Sequence, residues 1–281
     1  METQAPFQAA YDAMLGRWPG PVEAIDLRSR FGTTRVNACG PASAPPVILL
    51  PGGGTTSTVW YANVGALSES YRVYAIDVIG DRGRTVYNGD PVRTLADLLE
   101  WLDSCLSKLD IVRARLVGHS YGAWILLRYA LAKVHRVERL ALLDPTQCFT
   151  GQRPSYLLHA VPLLLLPTPA SKRRFFTWET GGTMDQGFLD FAAQPFVIES
   201  PAEATFIRPR RPTDAEFVEL TAPTLVLAAE RGQQNDLAKL TANARRLVPR
   251  VTVHTVPGAT HHTMPMAPAD IINRHLLDFL A

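Results

Sequence analysis

The stretch that decides the fold of this chain is Leu116-Val117-Gly118-His119-Ser120-Tyr121-Gly122-Ala123-Trp124. An apolar run at residues 114–117, interrupted only by Arg115, precedes a Gly-x-Ser-x-Gly motif, and an apolar stretch of helical length follows at 123–132. A strand that turns sharply into a helix holds the serine at the tip of the turn with its hydroxyl exposed. Glycines on both sides avoid Cβ atoms that would crowd the turn. The motif therefore predicts that Ser120 is a nucleophile.

Strand-like and helix-like segments alternate on both sides of this motif. Apolar runs typical of strands buried on both faces occur at residues 47–50 and 71–76, and leucines recur at helical spacing between 95 and 109. Further strand-length runs occur at 137–143, 224–229 and 251–256. This alternation predicts an α/β fold with a doubly wound, mostly parallel sheet.

The alternation is broken between residues 146 and 215, which are rich in proline, leucine and aromatic residues. We expect this segment to be an inserted helical cap over the carboxyl ends of the strands. Residues 1–145 and 216–281 are then expected to form the core. Leu157, Leu158 and residues 163–166, together with the aromatic residues of the cap, are candidates for lining an apolar substrate pocket.

The composition argues against several classes of function. The 281 residues carry a net charge of +2 without a long basic run, so we expect no nucleic acid partner. The three cysteines are far apart and lack ligand spacing, so we expect neither a disulfide framework nor a metal site. The first ten residues lack the features of a signal peptide, and no apolar run is long enough to span a membrane, so we expect a cytoplasmic protein.

A serine hydroxyl becomes a nucleophile only when a base takes its proton. His261 lies in the loop after the last expected strand, at the same edge of a parallel sheet as Ser120. Its neighbour His262 is the competing choice, but the two side chains point in different directions, so at most one reaches the serine. We favour His261 because it lies at the usual distance after the Pro-Gly turn at 257–258.

Two backbone N–H groups are needed to stabilise the oxyanion that forms during acyl transfer. One is expected from Tyr121, which follows the nucleophile at the positive end of a helix. The other is expected from the glycine-rich loop at 52–54, with Gly53 as the first choice and Gly54 as the second, because glycine allows the backbone to approach a ligand closely.

These motifs resemble those of the α/β-hydrolase fold superfamily, especially its esterase- and lipase-like members with a helical cap. Residues 118–122 match the nucleophile elbow, and Gly258-Ala259-Thr260-His261 resembles the G-x-x-H of the catalytic base. Leu50-Pro51-Gly52-Gly53-Gly54, followed by Trp60, is similar to the HG-type oxyanion loop, with Pro51 where histidine is common. The resemblance implies a Ser–acid–His triad, no cofactor and a cap that shapes specificity.

The sequence departs from the family pattern at the acid. Many relatives carry it in a G-x-x-D segment, which here reads Ala229-Glu230-Arg231-Gly232, so that Gly232 stands where aspartate is expected. Asp144 is our first candidate, because some relatives place the acid after the strand that follows the elbow helix. Asp236, which also resembles a helix N-cap, and Glu230 stay open as alternatives.

The sequence predicts a serine hydrolase that cleaves a carboxylic ester of a fairly apolar small molecule through an acyl-enzyme on Ser120. Acyl transfer or thioester cleavage by the same triad stays open. A non-catalytic ligand-binding protein that has kept the fold also stays open, because of Gly232. The oligomeric state is not predicted.

Overall fold

The computed structural model describes residues 5–196 and 206–281. In this part of the chain, eight strands form one sheet in the order β1-β2-β4-β3-β5-β6-β7-β8. The strands are β1 (Glu23–Ser29), β2 (Gly32–Cys39), β3 (Pro46–Leu50), β4 (Arg72–Ile76), β5 (Ala114–His119), β6 (Val137–Leu143), β7 (Thr224–Ala229) and β8 (Val251–Val256). Strands β1 and β2 form a hairpin that joins β4 antiparallel, and all other pairs are parallel. The predicted mostly parallel sheet is confirmed.

Helices cover both faces of the sheet. They are α1 (Ala5–Leu15), α2 (Val64–Ser68), α3 (Leu95–Lys108), α4 (Ser120–Ala132), α5 (Pro154–Leu165), α6 (Pro169–Thr180), α7 (Gln186–Ala193), α8 (Leu237–Leu247) and α9 (Ala269–Leu280). Side chains of β3 alternate between two apolar clusters. Ile48 and Leu50 belong to the cluster that includes α3 and α4, whereas Val47 and Leu49 belong to the cluster that includes α1 and α9.

The central strands are apolar without interruption because both of their faces are covered. Strand β7 is buried at all six positions, whereas β8 at the edge of the sheet is buried only at Val256. Because β5, β6, β7 and β8 run parallel, their carboxyl ends lie along one edge. The loops that follow these strands therefore meet at one place.

Along the chain, helices α5, α6 and α7 come after β6 and before a short 3-10 helix at Glu216–Glu219. They fall within the predicted cap, of which residues 197–205 lie outside the described residues. The boundaries of the cap at 146 and 215 stay a prediction. Within residues 5–196 and 206–281, no helix is both long enough and apolar enough to cross a bilayer.

Candidate active site

The strand–turn–helix around Ser120 has the sharp geometry that the motif predicts. Strand β5 ends at His119, α4 begins at Ser120, and Ser120 has a φ of +52°, in the left-handed region. A methyl group at Gly118 would lie 2.7 Å from the backbone nitrogen of Ala123, and one at Gly122 would lie 2.4 Å from the carbonyl oxygen of Pro51. Both positions therefore require glycine, and the turn holds Ser120 against the oxyanion loop.

The structure brings Ser120, His261 and Asp144 into one hydrogen-bonded chain. Nε2 of His261 lies 2.9 Å from Oγ of Ser120, and its Nδ1 lies 2.6 Å from Oδ2 of Asp144. His261 and Asp144 are only 1% and 2% exposed. A carboxylate only accepts hydrogen bonds, so Nδ1 carries the proton and Nε2 presents its lone pair to the serine. This is the tautomer in which a histidine can act as a base.

Asp144 is held by contacts with the end of β7 and with the loop that follows it. Its Oδ1 accepts the N–H of Ala229 at 3.2 Å, and its Oδ2 accepts a hydrogen bond from Nδ2 of Asn235 at 3.1 Å. Its φ of +37° lies in the region that aspartate and asparagine enter more readily than most residues. These contacts point the carboxylate toward His261.

The structure does not bring the two other acid candidates to the histidine. Asp236 caps α8 by accepting the N–H of Lys239 at 3.1 Å, and Glu230 accepts the N–H of Gly258 at 2.8 Å. Gly232 nevertheless lies close to the site, because a methyl group placed there would be 3.6 Å from Oδ2 of Asp144. Asp144 therefore occupies the space beside the position where many relatives carry the acid.

His262 turns away from Ser120 toward the cap. Its Nε2 lies 3.1 Å from the hydroxyl of Tyr156, and the edges of the Phe175 and Phe176 rings pack around it. Burial and the neighbouring His261 lower the pKa of His262 to about 3. A neutral imidazole at this point helps to pack the cap against residues 257–268, the loop between β8 and α9 that is called the histidine loop below.

The two expected oxyanion donors lie side by side. A methyl group at Gly53 would be 3.4 Å from Cβ of Tyr121, and Tyr121 lies in the first turn of α4. The N–H of Gly54 donates instead to the carboxylate of Asp81, at 2.9 Å to one oxygen. Burial raises the pKa of Asp81 to about 6. Because Gly54 is already bonded, Gly53 is the better placed of the two glycines.

Sequence reasoning missed two residues that hold the backbone of His261. Nε2 of His119 lies 2.9 Å from the carbonyl oxygen of His261, and Oε1 of Glu179 accepts the N–H of His261 at 3.0 Å. The motif places His119 beside Ser120 but does not show where its ring points. Nothing in the sequence links Glu179, on cap helix α6, to a loop 82 residues away.

Aromatic residues of the cap, more than its leucines, approach the histidine loop. The Tyr156 ring lies edge-on to the His261 ring, at 6.4 Å between centroids, and Phe175 packs against Tyr156. Leu158, Leu165 and Leu166 are 71%, 74% and 68% exposed. Leu158 borders an open groove together with Phe175, and the expectation that leucines of the cap line a substrate pocket stays a prediction.

Ser120, His261 and Asp144 are the side chains that the structure joins by hydrogen bonds at this site. Within the described ranges, no cluster of three or more His, Cys, Asp or Glu side chains is arranged to hold a metal ion.

A sequence model of the alpha/beta hydrolase family matches residues 47–274. The chain belongs to this family. The match includes the elbow, the glycine-rich loop and the histidine loop, so the site described above lies within the part of the chain that defines the family.

Two Bacillus subtilis proteins resemble the chain over its whole length. Carboxylesterase YbfK is 29% identical over 286 residues, which cover 100% of this chain and 95% of that protein. The crystal structure of this carboxylesterase, CesB (YbfK), superposes with a TM-score of 0.91 and covers 100% of this chain and 99% of its own. The structure of naproxen esterase (carboxylesterase NP) is 25% identical, has a TM-score of 0.89 and covers 98% and 97% of the two chains.

Proposed function

We propose that this protein is a carboxylesterase that uses Ser120 as nucleophile, His261 as base and Asp144 as the acid of a catalytic triad. The observation that carries the proposal is the buried chain Ser120–His261–Asp144, with separations of 2.9 and 2.6 Å. The full-length similarity to proteins named carboxylesterases supports the ester as substrate.

The reaction begins when Oγ of Ser120 attacks the ester carbonyl carbon and its proton passes to Nε2 of His261. Asp144 stabilises the imidazolium that forms. The N–H groups of Gly53 and Tyr121 donate to the negative carbonyl oxygen, and the positive end of α4 adds to this stabilisation. The bond to the alcohol oxygen then breaks, and His261 returns the proton to that oxygen.

The acyl-enzyme on Ser120 is then hydrolysed by the same groups. A water molecule gives a proton to Nε2 of His261 while its oxygen attacks the acyl carbon. The bond to Oγ breaks, and the proton moves from His261 to Ser120, which restores the resting site. Acid and alcohol are the products, and no further reactant is needed.

The substrate is proposed to be a small, fairly apolar ester, because Tyr156 and Phe175 approach the histidine loop. The intact hydrogen-bonded triad argues against a binding protein without turnover. Acyl transfer uses the same groups, but no feature of the site favours it over hydrolysis. The cytoplasmic location stays a prediction from the sequence.

The test is turnover of p-nitrophenyl acetate and p-nitrophenyl butyrate. We expect the wild-type protein to hydrolyse both, and butyrate with the higher kcat/KM, because a longer acyl chain buries more apolar surface. Ser120→Ala is expected to reduce kcat by about 10⁴-fold or more. Equal turnover by the wild-type protein and Ser120→Ala, or none by either together with tight binding of an ester, would contradict the proposal.

A further inference from the structure

Glu179 is a buried carboxylate that the catalytic triad does not use. It lies near the end of α6 in the cap and is 2% exposed. Its Oε1 accepts the N–H of His261 at 3.0 Å and of Gln233 at 3.3 Å, and its Oε2 accepts the N–H of His262 at 3.1 Å. Both oxygens are therefore bonded to backbone of the core, and two of the three donors belong to the histidine loop.

The carbonyl group of His261 is held by the elbow. His119 is 4% exposed, and burial together with the neighbouring His261 lowers its pKa well below 6.5, so its ring is neutral. The carbonyl oxygen of His261 can only accept, so Nε2 of His119 carries the proton and donates to it at 2.9 Å. His261 is thus held at its N–H by Glu179 of the cap and at its carbonyl by His119 of the elbow.

We propose that Glu179 is a positioning residue. Through it, the alignment of His261 with Ser120 depends on contact between cap helix α6 and the core. The inference deepens the proposed function and rests on it. Lifting α6 from the core would break three hydrogen bonds to a carboxylate, which are stronger than hydrogen bonds between neutral groups. The position of helix α6 and that of the histidine loop are therefore coupled, and His261 faces Ser120 only while α6 contacts this loop.

The carboxylate form of this side chain is essential to the arrangement. Donors converge on both of its oxygens, so an acceptor is required at each position. Glutamine has the same shape but offers one acceptor and one NH₂ donor. In Glu179→Gln, the amide would face at least one backbone N–H with a donor, and the histidine loop would shift to relieve the contact.

The main test compares Glu179→Gln with Asp190→Asn in ester hydrolysis. Asp190 is a matched control, because it is a carboxylate of the cap that pairs with Arg173 at the surface. We expect Glu179→Gln to lower kcat by about 10- to 100-fold with KM changed less than about threefold, because a small misplacement of the base slows the chemical step. Asp190→Asn is expected to keep wild-type kcat.

Rescue by the conservative variant separates positioning from a merely structural role. Glu179→Asp keeps two acceptor oxygens and should restore part of kcat. A Glu179→Gln protein that only loses stability would keep the wild-type kcat per folded molecule, and that result would overturn the proposal.

A measurement without substrate keeps the two proposals distinguishable. The proton between Nδ1 of His261 and Asp144 should give a far-downfield ¹H NMR signal in the wild-type protein. We expect this signal to shift or broaden in Glu179→Gln and to stay unchanged in Asp190→Asn. If the wild-type protein hydrolyses no ester, the proposed function fails, and the NMR comparison still tests the positioning. If Glu179→Gln does not fold, Glu179→Ala takes its place, and an unchanged kcat and signal there would overturn the inference.

Discussion

The loops that follow β6 and β7 lie side by side, and each carries carboxylates, but they use them differently. The loop after β6 begins with Asp144, whose carboxylate lies 2.6 Å from the ring of His261. In the loop after β7, Glu230 binds the N–H of Gly258 and Asp236 caps a helix. One loop therefore presents a carboxylate to the ring of His261, whereas the carboxylates of the other loop bind backbone N–H groups.

The difference shows that contact with His261 depends on where the loop directs its carboxylate and not on which strand the loop follows. Strands β6 and β7 pair in parallel, with Leu143 opposite Leu227, so their carboxyl ends lie at the same level of the sheet. A carboxylate can approach His261 from either loop. In this chain the loop after β7 contributes Gly232, whose Cα leaves room beside Asp144, and the side-chain amide of Asn235, which binds Asp144. The last residue of β7, Ala229, contributes the N–H that also binds Asp144.

The largest effect is expected when the acid itself is changed. Asp144→Asn should lower kcat by about 10³- to 10⁴-fold, because the amide favours the wrong tautomer of His261. Asparagine tolerates the left-handed φ of this position, so the fold should be retained. The measurement is steady-state hydrolysis of p-nitrophenyl butyrate, with far-UV circular dichroism as the control for folding. A loss of less than tenfold in a folded protein would remove Asp144 from the triad.

A reciprocal exchange between the two loops gives a smaller effect and a sharper test. Asp144→Gly should be as inactive as Asp144→Asn, and adding Gly232→Asp should raise kcat at least about tenfold above that of the single variant. The reason is that Cβ of residue 232 would lie within 3.6 Å of the position of the original carboxylate. The measurement is kcat of both variants in the same ester assay.

Gly232→Asp in the wild-type background is the matched control for this exchange. There, two carboxylates would share one buried site and repel each other, so stability should fall without a gain in activity. No recovery in a folded Asp144→Gly/Gly232→Asp double variant would mean that the loop after β7 cannot deliver an acid to His261.

Much of this arrangement could be predicted because its signals are local. The turn at Ser120 needs glycines at 118 and 122, and those glycines stand in the sequence. The burial of β3 and β7 on both faces is visible as unbroken apolar runs. Because His261 follows a strand of a parallel sheet, it lies at the same edge of the sheet as Ser120. Each of these inferences uses only neighbouring residues.

The remaining features depend on contacts between distant segments. Asp144, Asp236 and Glu230 all follow strands at one edge, and only the three-dimensional structure shows which of them reaches His261. The contact of Glu179 joins the cap to a loop 82 residues away, and no spacing rule describes it. The exposure of Leu158 cannot be predicted either, because an apolar pattern does not distinguish the outer surface of a cap from an inner wall.

The comparison extends to the loop after β8, which contains His262, because the pH dependence of the free energy of unfolding reports on this side chain. The pKa of His262 is lowered to about 3, whereas an unfolded histidine has a pKa of about 6.5. Between these values the unfolded state binds a proton that the folded state does not, so stability falls as pH decreases from about 6.5 toward 3. His262→Gln should reduce this slope by up to about 1.4 kcal/mol per pH unit.

The measurement is urea unfolding between pH 7 and pH 4. The matched control is His135→Gln, at an exposed histidine outside this cluster. Some acid sensitivity should persist in His262→Gln, because burial also lowers the pKa of His119. An identical slope in the wild-type protein and His262→Gln would show that His262 is free to take up a proton in the folded state.

The smallest effect is expected at Asp236, the acid candidate that the structure places at a helix terminus. Asp236→Ala removes the side-chain acceptor for the N–H of Lys239 at the start of α8. Loss of such an N-cap should lower Tm by about 2–4 °C. Because Asp236 makes no contact with His261, kcat for p-nitrophenyl butyrate should stay within about twofold of the wild-type value. Asp236→Asn keeps a capping oxygen and should recover most of the lost Tm. A large fall in kcat for both variants would mean that the loop after β7 supplies an acid after all, and the contrast between the two loops would then disappear.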